Sequence, residues 1–136
     1  MDTIKGRPSG RPLIHHVGVF ASDYAASRRF YTEALRPLDI VVGYEAEGVT
    51  EFWLRGQDTP SLSLETAATP DDVTRGVHIA FAANDRGQVD AFFEAAVKAR
   101  GRPRYHPRHR PEDKAYCAFI GDPDGNNIEA LVKERS

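Results

Sequence analysis

A single cysteine, Cys117, is the only thiol in the chain, so neither an internal disulfide framework nor a cysteine-based zinc cluster can form. No apolar run approaches the roughly 18 residues that a membrane helix needs, so no membrane association is expected. The first twelve residues, MDTIKGRPSGRP, hold no apolar stretch of the secretory kind. With one thiol, that fits a reducing cytoplasm. Charge of one sign is lacking too. Eighteen basic residues face 20 acidic ones, a net −2, which gives no global case for a nucleic-acid partner. What is present is ordinary globular composition, 40% apolar and 28% charged over 136 residues, enough for one domain.

The chain repeats itself. His16-Val17-Gly18-Val19-Phe20-Ala21-Ser22-Asp23 falls on His78-Ile79-Ala80-Phe81-Ala82-Ala83-Asn84-Asp85, 62 residues on. At the same offset Phe30-Tyr31 falls on Phe92-Phe93. A second block repeats at an offset of 64, placing Leu64-Glu65 on Ile128-Glu129 and Asp58 on Asp122.

Each half reads as strand, helix, then three strands. Residues 13–20 alternate with period 2, and Ser22 or Asp23 caps a helix that Pro37 stops near Leu35. Strands are predicted over 40–45, 50–55 and 61–66. In the second half, residues 77–83 form the strand and Asn84 or Asp85 the cap. Val89, Phe92, Phe93, Ala96 and Val97 make one helical stripe, with Gly101 as a left-handed C-cap. A weak strand near 102–106 precedes strands at 115–120 and 127–132, the last two joined by the turn Asp122-Pro123-Asp124-Gly125. The expected fold is α+β: two βαβββ modules, about 13–66 and 76–133, with helices on the outer face of a curled mixed sheet. They make one domain over 13–136, after a mobile tail over 1–12.

Strand parity then groups four side chains. Ile79 and Phe81, Leu62 and Leu64, and Ile128 and Ala130 supply the faces that bury the helices. His78, Glu65 and Glu129 therefore point away from the helix layer, as does His16 if Val17 and Val19 pack inward. Two imidazoles and two carboxylates suit a divalent metal ion: zinc, nickel, manganese, cobalt or iron(II). The competing reading is a polar, exposed sheet face.

HHVGVFASDYAASRRFYTEAL, GVHIAFAANDRGQVDAFFEAA and AYCAFIGDPDGNNIEAL together resemble the vicinal oxygen chelate superfamily of glyoxalases, bleomycin resistance proteins and extradiol dioxygenases. The resemblance spans about 13–133 and implies paired βαβββ modules curled around a metal cup. It implies metal ligands at His16, His78 and Glu129, with Glu65 in the fourth position. It also implies that two modules share the cup, and a homodimer is expected, with the ligands meeting either within one chain or across the pair. The segment Leu35-Arg36-Pro37-Leu38-Asp39 departs from the Leu-Gly-Met-like turn of glyoxalase I, which argues against glutathione-linked substrates.

The leading expectation is a metal-dependent isomerase or lyase acting on a small substrate chelated through adjacent oxygens, with Glu129 or Glu65 moving a proton. Iron-dependent extradiol oxygenation and non-catalytic binding of a small molecule are the alternatives. The segment 98–114 carries seven basic residues against two acidic ones. It reads as a solvated loop, or as a lid that attracts an anionic substrate.

Overall fold

The computed structural model describes residues 12–58 and 60–134. Residues 1–11, most of the expected tail, lie outside that range. The architecture is α+β, with two βαβββ modules. Module one runs β1 (Val17–Ala21), α1 (Tyr24–Leu35), β2 (Ile40–Ala46), β3 (Val49–Leu54) and β4 (Pro60–Thr66). Module two runs β5 (His78–Ala82), α2 (Arg86–Lys98), β6 (Arg102–Arg110), β7 (Ala115–Gly121) and β8 (Asn127–Lys133).

The strands form two four-stranded sheets, ordered β1-β4-β3-β2 and β5-β8-β7-β6, and neither closes into a barrel. In each, the first strand pairs parallel with the last, and the remaining neighbours are antiparallel. The edge of β1 has a local reason not to join β5. Thr74, in the connection between the modules, donates its N–H to the Phe20 carbonyl and accepts the Phe20 N–H on its hydroxyl, both at 2.8 Å.

Both helices begin where the sequence expects. Asp23 accepts from the Ala26 N–H and Asp85 from the Gln88 N–H, so each aspartate satisfies a donor of the first turn. Pro37 ends α1, and the chain makes one 3₁₀ turn over Arg36–Leu38. The helices pack on one another and on one face of each sheet. Phe30, Tyr31, Phe52, Phe92, Leu62, Leu64, Ile120 and Ile128 fill the space between, all inaccessible to solvent.

Three expectations need correction. Strand β1 starts at Val17, not at residue 13, and Leu13 and Ile14 are exposed before it. The basic segment is not a loop, because β6 extends to Arg110 and pairs with β7 along its length. Its alternating Arg and His read poorly as a strand because charged side chains, not apolar ones, mark the period. Gly101 is not the left-handed residue after α2. Arg100 takes that conformation, with φ 72°, while the Gly101 N–H bonds the Ala96 carbonyl. Glycine is needed at 101 for space. A Cβ there would sit 2.6 Å from a Phe30 ring carbon, 2.7 Å from Ile120 and 2.8 Å from the Ala96 carbonyl.

The Gly101→Ala variant should therefore lose roughly 1–3 kcal/mol by overpacking, read as a lower urea midpoint with an unchanged slope. A second prediction concerns acid. Glu134 takes hydrogen bonds from Arg86 and His109, which hold its carboxyl down at about 2 against an ordinary 4.5. A depressed carboxyl stabilises the fold above its unfolded value, and that contribution fades as pH falls toward the folded one. Melting curves of the wild type and Glu134→Gln should differ at neutral pH and converge between about pH 4.5 and about pH 2.

Candidate metal centre

The helices cover one face of each sheet, and the strand period sends alternate side chains to the other. On the second sheet that free face carries His78 on β5, Glu129 on β8, Cys117 and Phe119 on β7, and Tyr105 on β6. His78 Nε2 lies 2.8 Å from Glu129 Oε1. Two ligands at about 2.1 Å from one ion, set at right angles, lie about 3 Å apart, so these atoms fit neighbouring positions on a metal.

Their surroundings differ. Glu129 is 6% exposed, whereas His78 stands open to solvent. The His78 ring meets Phe119 edge-on at 5.7 Å, and Phe119 stacks against Tyr105 at 5.1 Å. The Arg110 guanidinium lies over both Tyr105 and Phe119, at 5.1 and 5.5 Å. Arg108 also lies over Tyr105, at 5.0 Å, and donates to its hydroxyl at 2.6 Å. A groove of about 620 Å³ is lined by His78, Glu129, Phe119, Leu131, Arg110 and Lys133. Beneath it, burial pushes the Cys117 thiol up to about 11, and the neighbouring Glu129 carboxylate adds to the rise. Cys117 is thus an inert, protonated neighbour of the pair.

Module one carries the other two expected ligands on its own free face. His16 lies one residue before β1, exposed, with its Nδ1 2.9 Å from the His15 Nδ1. Glu65 pairs with Phe20. Among the described residues no set of three or more His, Cys, Asp or Glu converges, and of the four expected ligands the hydrogen bonds join His78 to Glu129.

The ladders also change the repeat register. Glu129 pairs with Ala80, two residues after His78, and its counterpart two residues after His16 is Gly18, which pairs with Ser63. The equivalence from β4 to β8 is therefore 66 residues, not 64, and Ser63 occupies the place of Glu129. Glu65 lies two residues further along the same face. Matching one carboxylate to the other concealed this shift.

Reading residues singly also missed Glu51. It faces Ser63 across the ladder from β3 and accepts from the Trp53 indole at 3.3 Å. Cys117 and Phe119 were missed as neighbours because β7 reads as an apolar strand with no polar face to mark them, whereas Arg108 was placed in the basic segment and not on a strand. Counting outward from Glu129 along the β7–β8 hairpin finds the first two.

The Glyoxalase/Bleomycin resistance protein/Dioxygenase superfamily model matches residues 13–130. A glyoxalase/bleomycin resistance protein from Albidiferax ferrireducens T118 is 31% identical, with TM-score 0.76, covering 90% of this chain and 99% of that one. A lactoylglutathione lyase from Agrobacterium tumefaciens is 21% identical, with TM-score 0.61, over 90% of this chain and 95% of the other. A glyoxalase/bleomycin resistance protein/dioxygenase family enzyme from Burkholderia phytofirmans PsJN is 15% identical, with TM-score 0.66, over 87% and 96%. These last two likenesses bear on the fold alone. No curated protein matches the chain.

Metal titration followed by calorimetry is expected to give one divalent ion per chain. His78→Ala should weaken binding by at least about a hundredfold, the effect of losing one ligand outright. His109→Ala should leave binding unchanged, since His109 faces Glu134 instead.

Proposed function

The chain belongs to the Glyoxalase/Bleomycin resistance protein/Dioxygenase superfamily, and from that premise we propose a metal-dependent enzyme of isomerase or lyase type. Its substrate is a small anion chelated through adjacent oxygens. The observation that carries the reading is the His78–Glu129 pair at 2.8 Å on the open face of its sheet.

His16, His78 and Glu129 hold the ion in this proposal. A bound zinc, nickel, manganese, cobalt or iron(II) ion supplies Lewis-acid polarisation of two neighbouring oxygens. The residues of the chain do the rest. His78 and Glu129 orient one another, and Phe119 walls off water on their flank. Arg108 offers donors to a substrate carboxylate or phosphate, and Arg110 does so by exchanging its pairs with Glu112 and Asp113, each at 3.1 Å. Glu65 is assigned the proton transfer: it lies beyond the ligand position that Ser63 fills, and it accepts no hydrogen bond from any described residue. A half-buried carboxylate with room to turn suits a general base.

Because His16 does not reach His78 and Glu129 within the chain, a homodimer that sets module one of one copy against module two of the other completes the site. Phe20 and Tyr44, exposed on the same face of module one as His16, suit such a contact. The lone buried thiol fits a cytoplasmic protein.

Ser63 favours one second reading. Three protein ligands leave three positions on an octahedral ion, which is the room that iron-dependent extradiol-type oxygenation needs.

One set of experiments separates these. The protein is reconstituted with iron(II), nickel, zinc or manganese. Each form is assayed for oxygen uptake with catechols and for isomerisation of 2-oxoaldehyde thiol adducts. The proposal expects isomerisation, and Glu65→Gln should lower kcat by about 10²–10⁴ with metal stoichiometry unchanged. Oxygen uptake confined to the iron form, undiminished in Glu65→Gln, supports the second reading instead. Silence in both assays with tight ligand binding points to a sequestering protein.

A further inference from the structure

Four arginines gather around the Asp122–Gly125 turn in a cleft of about 370 Å³. They come from separate stretches of chain: Arg75 from the connection between modules, Arg100 from the end of α2, and Arg102 and Arg104 from β6. Their tethers are mostly uncharged. Arg104 donates to the Gly125 carbonyl at 2.8 Å and lies against Gly121, where a Cβ would come within 3.1 Å of its Nε. Arg75 points toward the Asp124 carbonyl at 3.4 Å and stays 3.9 Å from the Asp124 carboxylate. Among the described residues Arg100 and Arg102 have neither an ion-pair nor a side-chain hydrogen-bond partner.

The acids nearby are already engaged. Asp122 takes the Tyr31 hydroxyl and three N–H groups, and Asp124 takes the backbone and hydroxyl of Ser22. Set against those two carboxylates, the four guanidiniums leave two positive charges unanswered. A phosphate monoester carries about that charge with the opposite sign. Arg100 is also held at φ 72°, a conformation in which glycine is relaxed and a β-carbon is strained, so the backbone beneath this unpartnered side chain carries a cost that glycine would avoid.

We propose that this cleft binds the phosphate group of a small phosphorylated molecule. Guanidiniums present paired donors that match phosphate oxygens, and the volume admits a ligand of modest size. The proposal does not rest on the metal reading.

The test uses the full chain, stripped of metal, with inorganic phosphate, pyrophosphate and phenyl phosphate as probes and acetate at equal ionic strength as control. Calorimetry should show saturable binding of phosphate-bearing probes but not of acetate. Preference for phenyl phosphate over inorganic phosphate identifies an organic ligand, and the reverse identifies the free ion. Arg102→Gln should weaken binding about tenfold, the effect of one charge-assisted contact. Arg100→Gly should weaken it too, while raising the melting temperature by relieving the left-handed strain. A purely structural arginine would not move the two readouts in that way. Lys98→Gln, which removes the same charge from α2, should change nothing. Absence of saturable binding, equal weakening by Lys98→Gln, or unaltered binding in Arg100→Gly would overturn the proposal.

Discussion

The carboxylate of Asp122 is the constraint on which the rest of the molecule depends. It is 6% exposed and forms no ion pair among the described residues, so its direct partners are hydrogen-bond donors, with four arginines lining the adjoining cleft. Tyr31 donates from α1 at 2.5 Å, the Asp124 and Asn126 N–H groups donate at 2.9 and 2.8 Å, and the Asn126 amide donates at 3.0 Å. Removing any one donor leaves a buried charge short of solvation, which costs more than the bond itself contributes. The tyrosine answers in kind. Burial first, then the adjacent Asp122 charge, raises its hydroxyl well above the usual tyrosine range, so it stays a donor.

This network joins the modules and sets the origin of β8. Asn126 accepts the Val77 N–H and donates to the Thr74 carbonyl, fixing the chain that leads into β5. Three residues later comes Glu129. A turn buried against α1 therefore helps set the backbone register in which His78 and Glu129 meet, and their own hydrogen bond orients the side chains. The motif DPDGNNIEAL joins these two jobs. Its first half builds the clamp, and its second half delivers a carboxylate to the opposite face of the sheet.

Much of this was legible in advance because helix caps, apolar stripes and strand alternation are local signals. Each cap was narrowed to two neighbours, of which the chain uses Asp23 and Asp85, and the Val89–Phe92–Phe93–Ala96 stripe is buried as expected while Val97, expected with it, is 40% exposed. The errors arose where two physical demands share a residue type. Gly101 looked like a conformational glycine and is a steric one, and its neighbour Arg100 takes the dihedral instead. The arginines and histidines of β6 concealed the second half of a strand expected only over 102–106, because that strand lies at a sheet edge, where charge is favoured and apolar alternation is not required. The candidate ligands were legible as types and as a shared face, but not as a constellation. Convergence depends on ladder register and on how two sheets are set, and neither is encoded within a short stretch of sequence.

Register also separates the two glutamates that the sequence treats as twins. Glu129 is buried, hydrogen-bonded to His78 and flanked by an uncharged thiol, so its carboxylate is fixed in place. Glu65 is half-buried and lies two residues past the equivalent position, which Ser63 occupies. Fixity serves a group that must hold an ion, since each lost degree of freedom is settled before the ion arrives. Freedom serves a group that must take a proton from one atom and return it to another. In the proposed function, the two-residue offset between the modules is what divides these roles between Glu129 and Glu65. Parity keeps the offset side chain on the same face.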